Sequence, residues 1–454
     1  MPKTNSRWTV LRRSAISLFL VLVGISGWGR TRPHYGGTLR VEVAGDGITS
    51  PDATILHLVF DGLTRTGPDG SPQPALAAEW KSSNGDRHWE FTLREGVTFH
   101  NGFPLTADRA AASLNESCNG PCPWSSLKAQ GSEVIFSSDA PLPELPLLLA
   151  ENYPIQLTDA GDGKAPPCCI GTGPYQIAAE HGPTYTLAAN ESYWAGRPYA
   201  DSIELVTSRS VRDQWLDLSV GRADLVEVPP EELRLAQQQR MTLLSSPPVE
   251  LLALEISTSG ALANQPLRTA ISLAIDRAAL FNVIFQKQGE ITASILPQEL
   301  SGYAFLFPAE RDLAKAQELR GGVKPPTLSL GFAGSGSVQL AAQRIALNLR
   351  EAGFDVQVTG APHADLMLRS IPLASADPAA ALESVLRASG ETTPLAATSP
   401  TAVYRAEHDF LDRKTLVPLL DLPRAYAVGT HVRDLSLDSD GTPDLADAWL
   451  EAGP

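Results

Sequence analysis

Cysteine, histidine and glycine are where this chain could do chemistry. There are four cysteines, Cys118, Cys122, Cys168 and Cys169. As thiolates they could hold zinc, but C-x-x-x-C followed by a vicinal pair matches no standard zinc spacing, and no histidine neighbours it. The eight histidines (His34, His57, His88, His100, His181, His363, His408 and His431) are scattered without ligand spacing. No metal is therefore expected. A serine hydrolase needs a G-x-S-x-G elbow and a zinc hydrolase an H-E-x-x-H helix, and neither string occurs. Gly171-Thr172-Gly173-Pro174-Tyr175 has the glycines of a phosphate loop. It lacks the Lys-Ser/Thr that would reach a nucleotide and magnesium, and the residues after it read as a strand. These residues point away from an enzyme, with no catalytic residues and no cofactor.

Cross-linking is then the natural use of the cysteines, if the chain leaves the cytoplasm. The N-terminus supports export. Lys3, Arg7, Arg12 and Arg13 precede an uncharged, mostly apolar stretch from Ser14 to Gly29. Its 16 residues are short of the about 20 that span a bilayer, so residues 1–29 read as a secretory signal. Gly27 and Gly29 are small but not of the A-x-A type, which leaves an uncleaved membrane anchor as the alternative. Four thiols allow three pairings. A Cys168–Cys169 bridge would strain the peptide between them, so Cys118 and Cys122 are expected to cross-pair with Cys168 and Cys169. The formal charge of -15 argues against nucleic acid as a partner, because phosphate repels an acidic surface.

Patterning places the elements around these residues. Gly37 to Val43 alternates and reads as an opening strand, followed by a helix near Thr54 to Asp61. Trp89, Phe91 and Leu93 alternate with Glu90, Thr92 and Arg94, the period of a half-buried strand. Thr106 is a good N-cap, with Asp108 in the first turn and an alanine-rich run behind it. Leu267 to Phe285 reads as one amphipathic helix, with Leu267, Ile271, Ala274, Ile275 and Ala278 on its apolar stripe. Gln339 to Ala352 reads as a helix stopped by Gly353, with a strand from Asp355 to Val358.

Two ordered strings carry more than local structure. The first has Pro74, Leu76, Ala77 and Trp80; then Trp89, Phe91, Leu93, Arg94, Gly96, Val97, Phe99, His100 and Gly102; then Pro104, Leu105, Thr106, Ala107 and Asp108. The second, about 100 residues later, joins Gly171-Thr172-Gly173-Pro174-Tyr175 to Asn190, Tyr193-Trp194, Gly196 and Pro198-Tyr199. Together they resemble the bacterial extracellular solute-binding proteins of family 5, the peptide, dipeptide and nickel type that serves ABC importers. The resemblance is strong to about residue 310 and patchy beyond.

The resemblance implies an α/β, two-lobed periplasmic-binding-protein-like fold of type II, with an extra inserted domain, closing about a hinge. Lobe one would be a discontinuous domain of 36–60, 170–250 and 425–454, with 61–169 inserted into it. Lobe two would be 251–424. Solute would sit in the cleft and draw the lobes together.

The implied site residues depart from the family pattern in places. Asp52, Ala53 and Thr54 match a segment whose backbone pairs with bound peptide. The family's Y-L-x-x-N strand aligns with Leu251 to Glu255, so Leu251 replaces the Tyr and Glu255 the Asn. A Glu255 carboxylate in a cleft would favour a cation, and an Arg partner is its structural alternative. The Trp and the amine-binding Asp of a third run align within Ser370 to Pro378. There Ser370 fits, Ile371 stands for the Trp, and Ala374 stands for the Asp. Asp377 either substitutes by a shifted register or caps a helix beside Pro378. His100, Trp80, Trp89 and Trp194 read as packing residues, and Trp124, in a loop, as a contact aromatic.

The function this implies is capture of a peptide or peptide-like solute and delivery to ABC permease subunits in the membrane. The protein would be a monomer without enzymatic activity, exported to the periplasm or the outer face of the cytoplasmic membrane. The alternative is a membrane-anchored sensor or degenerate binding module of the same fold.

Overall fold

The computed structural model describes residues 32–451 apart from 44–50, 68–69, 119–121, 158–169, 323–326, 392–394, 396–397 and the single positions 208, 335, 362 and 374. The signal segment 1–29 lies outside the described residues.

Along the chain, β1 is Thr38–Glu42 and α1 is Pro51–Val59. A four-stranded antiparallel sheet follows, built from β2 (Ala77–Ser83), β3 (His88–Leu93), β4 (Ser126–Gln130) and β5 (Glu133–Ser137), in the order β2-β3-β5-β4. Trp89, Phe91 and Leu93 are the buried set of β3, as their alternation predicts. α2 (Ala107–Glu116) starts at the predicted cap, with the Thr106 side chain accepting from the Arg109 amide. α3 is Leu145–Asn152. Phe91, Phe136, Leu114 and Leu149 share one core here.

The chain then builds the principal sheet with β6 (Tyr175–His181), β7 (Thr184–Ala189), β8 (Ser202–Val206), β9 (Leu225–Glu227) and the long β10 (Thr242–Ile256). α4 (Gln265–Ala274), β11 (Leu328–Phe332), α5 (Ser337–Glu351), β12 (Val356–Val358) and β13 (Leu366–Pro372) come next. α6 (Pro378–Ala388), α7 (Pro400–Asp412) and the long β14 (Leu416–Val428) close the set. The spatial order is β12-β11-β13-β10-β14-β9-β1-β8-β7-β6.

β10 and β14 tie this sheet into two halves. The Glu250–Ile256 end of β10 pairs with β13, while the Tyr426–Val428 end of β14 pairs with β9. The two strands pair with each other along their length, from Thr242 and Val428 to Glu255 and Leu416, and register shifts flank Pro248, which faces Pro423. Proline has no N–H, so neither residue can donate to the ladder at that step.

Each half has its own core. In one, Leu252 and Leu254 pack with Ile271, Ala342 and Ile345 beneath α4 and α5, while Leu251 and Ala253 pack on the opposite face with Leu382, Val385 and Phe410 beneath α6 and α7. In the other, Leu39 and Val41 pack with Leu58, Val59, Tyr175 and Ile203.

Three expectations are corrected. The helix expected over Leu267 to Phe285 breaks after Ala274. Ile275 is extended, and the Asp276 side chain accepts from the Ala279 amide to start a new turn. The phase changes there, so Arg277 is buried and Ala278 exposed. Trp124 is buried against Phe136 and Tyr153 and is not an open contact aromatic. The cysteines pair locally: Cys118 bonds to Cys122, with Cα atoms 5.5 Å apart. That separation lies within the range a disulfide spans, so the bridge needs no distant partner. The cross-pairing is therefore wrong for Cys118 and Cys122. Cys168 and Cys169 lie outside the described residues.

Candidate binding crevice

The signature residues act as scaffold. Gly171 and Gly173 run against the C-terminal turn of α1. A Cβ would lie 1.9 Å from the Val59 carbonyl oxygen at the first and 2.6 Å from that of Leu58 at the second. Only glycine allows that approach. His100 locks the same loop. Its Nδ1 accepts from the Gly171 amide at 3.3 Å, leaving Nε2 to donate to the Gly173 carbonyl at 3.0 Å. Burial holds this imidazole below its usual pKa, so it is neutral. Asp61, just after α1, accepts from Thr172 Oγ1, Tyr193 Oη and Trp194 Nε1 at 2.9–3.0 Å. Burial raises its pKa, against the pull of those donors. The two sequence strings are thus knitted at one place, and they fix where α1 points.

α1 carries His57 toward a turn near the C-terminus. His57 Nε2 lies 3.5 Å from Asp440, and the two side chains keep 45% and 33% of their surface open. Both side chains are thus partly open to solvent while close to other acidic groups of the same turn. Burial would lower His57, but Asp440, Asp438 and Asp444 outweigh it and raise its pKa. Burial would raise Asp440, but His57 and Thr442 overcome it and hold the carboxyl well below its usual range. The result is an ion pair. Asp438 is pushed up to about 6 by burial and then by Asp444.

Glu151 of α3 approaches from another side, accepting from the Ala376 amide at 3.2 Å. Burial, reinforced by Asp377 and Asp440, raises it to about 7. Beside the proline step, Glu250 of β10 and Arg424 of β14 pair at 2.8 Å, both buried, and Ser370 Oγ donates to Glu250 at 2.8 Å. Burial pushes Glu250 up, opposed by Arg424 and Ser370. Acidic groups therefore outnumber basic ones around Asp440, and they favour the protonated form of His57.

The expected site residues are placed as follows. Leu251 and Ile371 are packed in the core beneath α6 and α7, so neither offers a side chain to an open cleft. Glu255 forms an ion pair with Arg369 on β13. Ser370 belongs to the Glu250–Arg424 network. Asp377 caps α6 by accepting from the Ala380 amide at 2.8 Å. Asp52, Ala53 and Thr54 form the first turn of α1, a helix and not a strand edge. Ala374 lies outside the described residues. Sequence reading missed His57, Glu151 and Asp440. The D-S-D-G-T-P-D run from Asp438 to Asp444 was the available signal.

Two halves with separate cores, joined by two through-running strands beside a polar crevice, define a two-lobed binding protein of the type II periplasmic class. The chain matches the model of the bacterial extracellular solute-binding proteins, family 5 Middle, over residues 71–399, and it belongs to that family. It is 29% identical over 53% of its length to the uncharacterized protein YhjP of Bacillus subtilis (strain 168). It is 25% identical over 66% of its length to di/tripeptide-binding protein 2 of Pseudomonas aeruginosa (strain UCBPP-PA14), and 25% identical over 69% to the nickel-binding periplasmic protein of Escherichia coli (strain K12). The matches span 42%, 66% and 67% of those relatives, in that order. The periplasmic binding protein DppA of Helicobacter pylori, solved with the peptide STSA, superposes over 92% of this chain and 99% of its own with a TM-score of 0.79 at 19% identity. NikA of Staphylococcus aureus, solved with Ni(L-His)2, superposes over 89% and 97% with a TM-score of 0.75 at 17% identity. Among the described residues no helix is long and apolar enough to cross a membrane.

Proposed function

We propose that this chain is the solute-capturing component of an ABC importer, exported to the periplasm or the outer face of the cytoplasmic membrane. It takes a peptide or peptide-like solute between its lobes and passes it to membrane permease subunits, without catalysis and as a monomer. We assign lobe one to 36–60, 170–250 and 425–454 with 61–169 inserted, and lobe two to 251–424. The observation that carries this reading is the pair of strands β10 and β14. They join two separately cored halves, and their ladder is weakest where Pro248 meets Pro423. Bending there changes the crevice without disturbing either core. Asp438, Asp440, Asp444 and Glu151 outnumber His57 here, and this excess of acidic groups supports a solute bearing positive charge, such as a peptide amine.

A thermal-shift screen of the mature protein against di- to pentapeptides, amino acids, metal chelates and sugars tests the proposal. A solute at one hundred times its Kd adds about 2.7 kcal/mol of stability. A shift with peptides, reduced in Asp440→Asn, supports it. A shift with another solute class alone overturns the peptide assignment. A second reading is a membrane-anchored sensor or degenerate binding module. The burial of Leu251 and Ile371 favours it, and no shift with any class would select it.

A further inference from the structure

Two carboxylates reach from one half of the molecule to backbone N–H groups of the other. Glu231 lies in the turn Pro230–Glu232, between β9 and β10. Its Oε1 accepts from the amide of Ser337, the first residue of α5, at 2.9 Å. Gln286 donates from Nε2 to the Glu231 carbonyl at 2.8 Å, so the same turn is held twice. Glu151, near the end of α3, accepts from the Ala376 amide at 3.2 Å and bonds to the Ser375 side chain. In each carboxylate the second oxygen, Oε2, is buried without a hydrogen-bond partner. Among the described residues neither carboxylate has a basic partner at its contact, so the far half's polar groups are what hold it there.

The receiving segments flank the sheet. α5 packs on the face of Leu252 and Leu254, and α6, which follows Ala376, packs on the face of Leu251 and Ala253. The two contacts thus cross between the halves at separate places.

We propose that Glu231 and Glu151 are paired clasps that hold the two halves shut in the absence of solute. The proposal rests on the two-lobe reading above. The Glu151 clasp is also proton-sensitive. Its carboxyl faces Ser375, Ala376 and Asp377 from the far half and Asp440 from the C-terminal turn. Burial first, then Asp377 and Asp440, raise it to about 7 when shut, whereas an open, hydrated glutamate titrates near 4.5. The shut form therefore binds more protons between those values. Closure is favoured at acid pH and weakens as pH rises through about 7.

Hydrogen exchange read by mass spectrometry on the solute-free protein, normalised for intrinsic pH dependence, tests this. A carboxylate–amide bond of ordinary strength corresponds to about a 10- to 100-fold change in the open-to-shut ratio. Glu231→Ala is expected to speed exchange by about tenfold or more both at Ser337 and at the distant Ala376–Asp377 amides. Glu231→Gln, which keeps the shape, is expected to show the same pattern more weakly. Faster exchange confined to the first turn of α5 would make Glu231 a local helix cap and overturn the clasp. In the unsubstituted protein, exchange at Ala376–Asp377 is expected to rise between pH 6 and pH 8 and to be flat in Glu151→Gln. An unchanged slope in that variant would overturn the proton sensitivity. No solute enters these measurements. A solute screen without any shift therefore counts against import, and an unchanged exchange pattern counts against the clasps alone.

Discussion

Glu250 and Arg424 face each other at 2.8 Å, one on each of the two strands that join the halves, next to the step where Pro248 meets Pro423. The prolines remove ladder donors at this point, and the ion pair restores a link between the strands through side chains. Breaking a buried pair leaves one charge uncompensated, at a cost of about 3–5 kcal/mol. Arg424→Met is expected to lower the urea midpoint accordingly with little change in slope. A loss under about 1 kcal/mol would show that the pair is hydrated and not a strut.

Gly171 is predicted to be far less replaceable than glycines on open turns. Its added Cβ would meet the Val59 carbonyl at 1.9 Å, and backbone cannot yield as the end of a flexible side chain does. Gly171→Ala is expected to cost at least about 3 kcal/mol, the upper range for overpacking. Gly182→Ala places its Cβ in open space and bears only the left-handed backbone at φ 62°, costing about 1–2 kcal/mol. Thermal denaturation of both variants checks the ranking.

Non-reducing peptide mapping is expected to recover Cys118 linked to Cys122. So short a loop removes little entropy from the unfolded chain. The double variant Cys118→Ala/Cys122→Ala is expected to lose about 2 kcal/mol, with the fold kept.

Stability is expected to fall as pH rises from about 5 to 8. Glu42, buried on β1 with Oε2 3.7 Å from Arg209 Nε, is raised to about 7 by burial and then by Asp217, with Arg209 pulling against them. The folded form holds a proton that the unfolded form has released above about 4.5. Its contribution is therefore complete at low pH and lost through pH 7. The size is on the order of 2–3 kcal/mol, since each tenfold gain in proton affinity on folding contributes about 1.4 kcal/mol. Glu42→Gln is expected to flatten this part of the profile, read as Tm against pH.

The elements that were legible from sequence are those fixed within a few residues. β3 shows its alternation and α2 its Thr106 cap, because strand period and helix capping are local physics. The break after Ala274 was not legible. The apolar stripe continues in sequence across it, and the Asp276 side chain turns the chain only when its bond to Ala279 forms. Trp124 shows the same limit. A loop aromatic beside a proline reads as exposed until Phe136 and Tyr153 arrive to cover it.

By itself the sequence determined the family, through two strings whose residues the structure uses as scaffold. It also placed the capping and turn residues that set individual elements. Only the tertiary structure decided which side chains face the crevice. Leu251 and Ile371 turn inward because strand register and the covering helices α6 and α7 set their direction, and no spacing encodes that. His57 and Asp440 meet because the Gly171–Gly173 loop and the Asp61 bonds aim α1 at the C-terminal turn. Their ion pair is a product of long-range packing, where distance along the chain carries no information about distance in space.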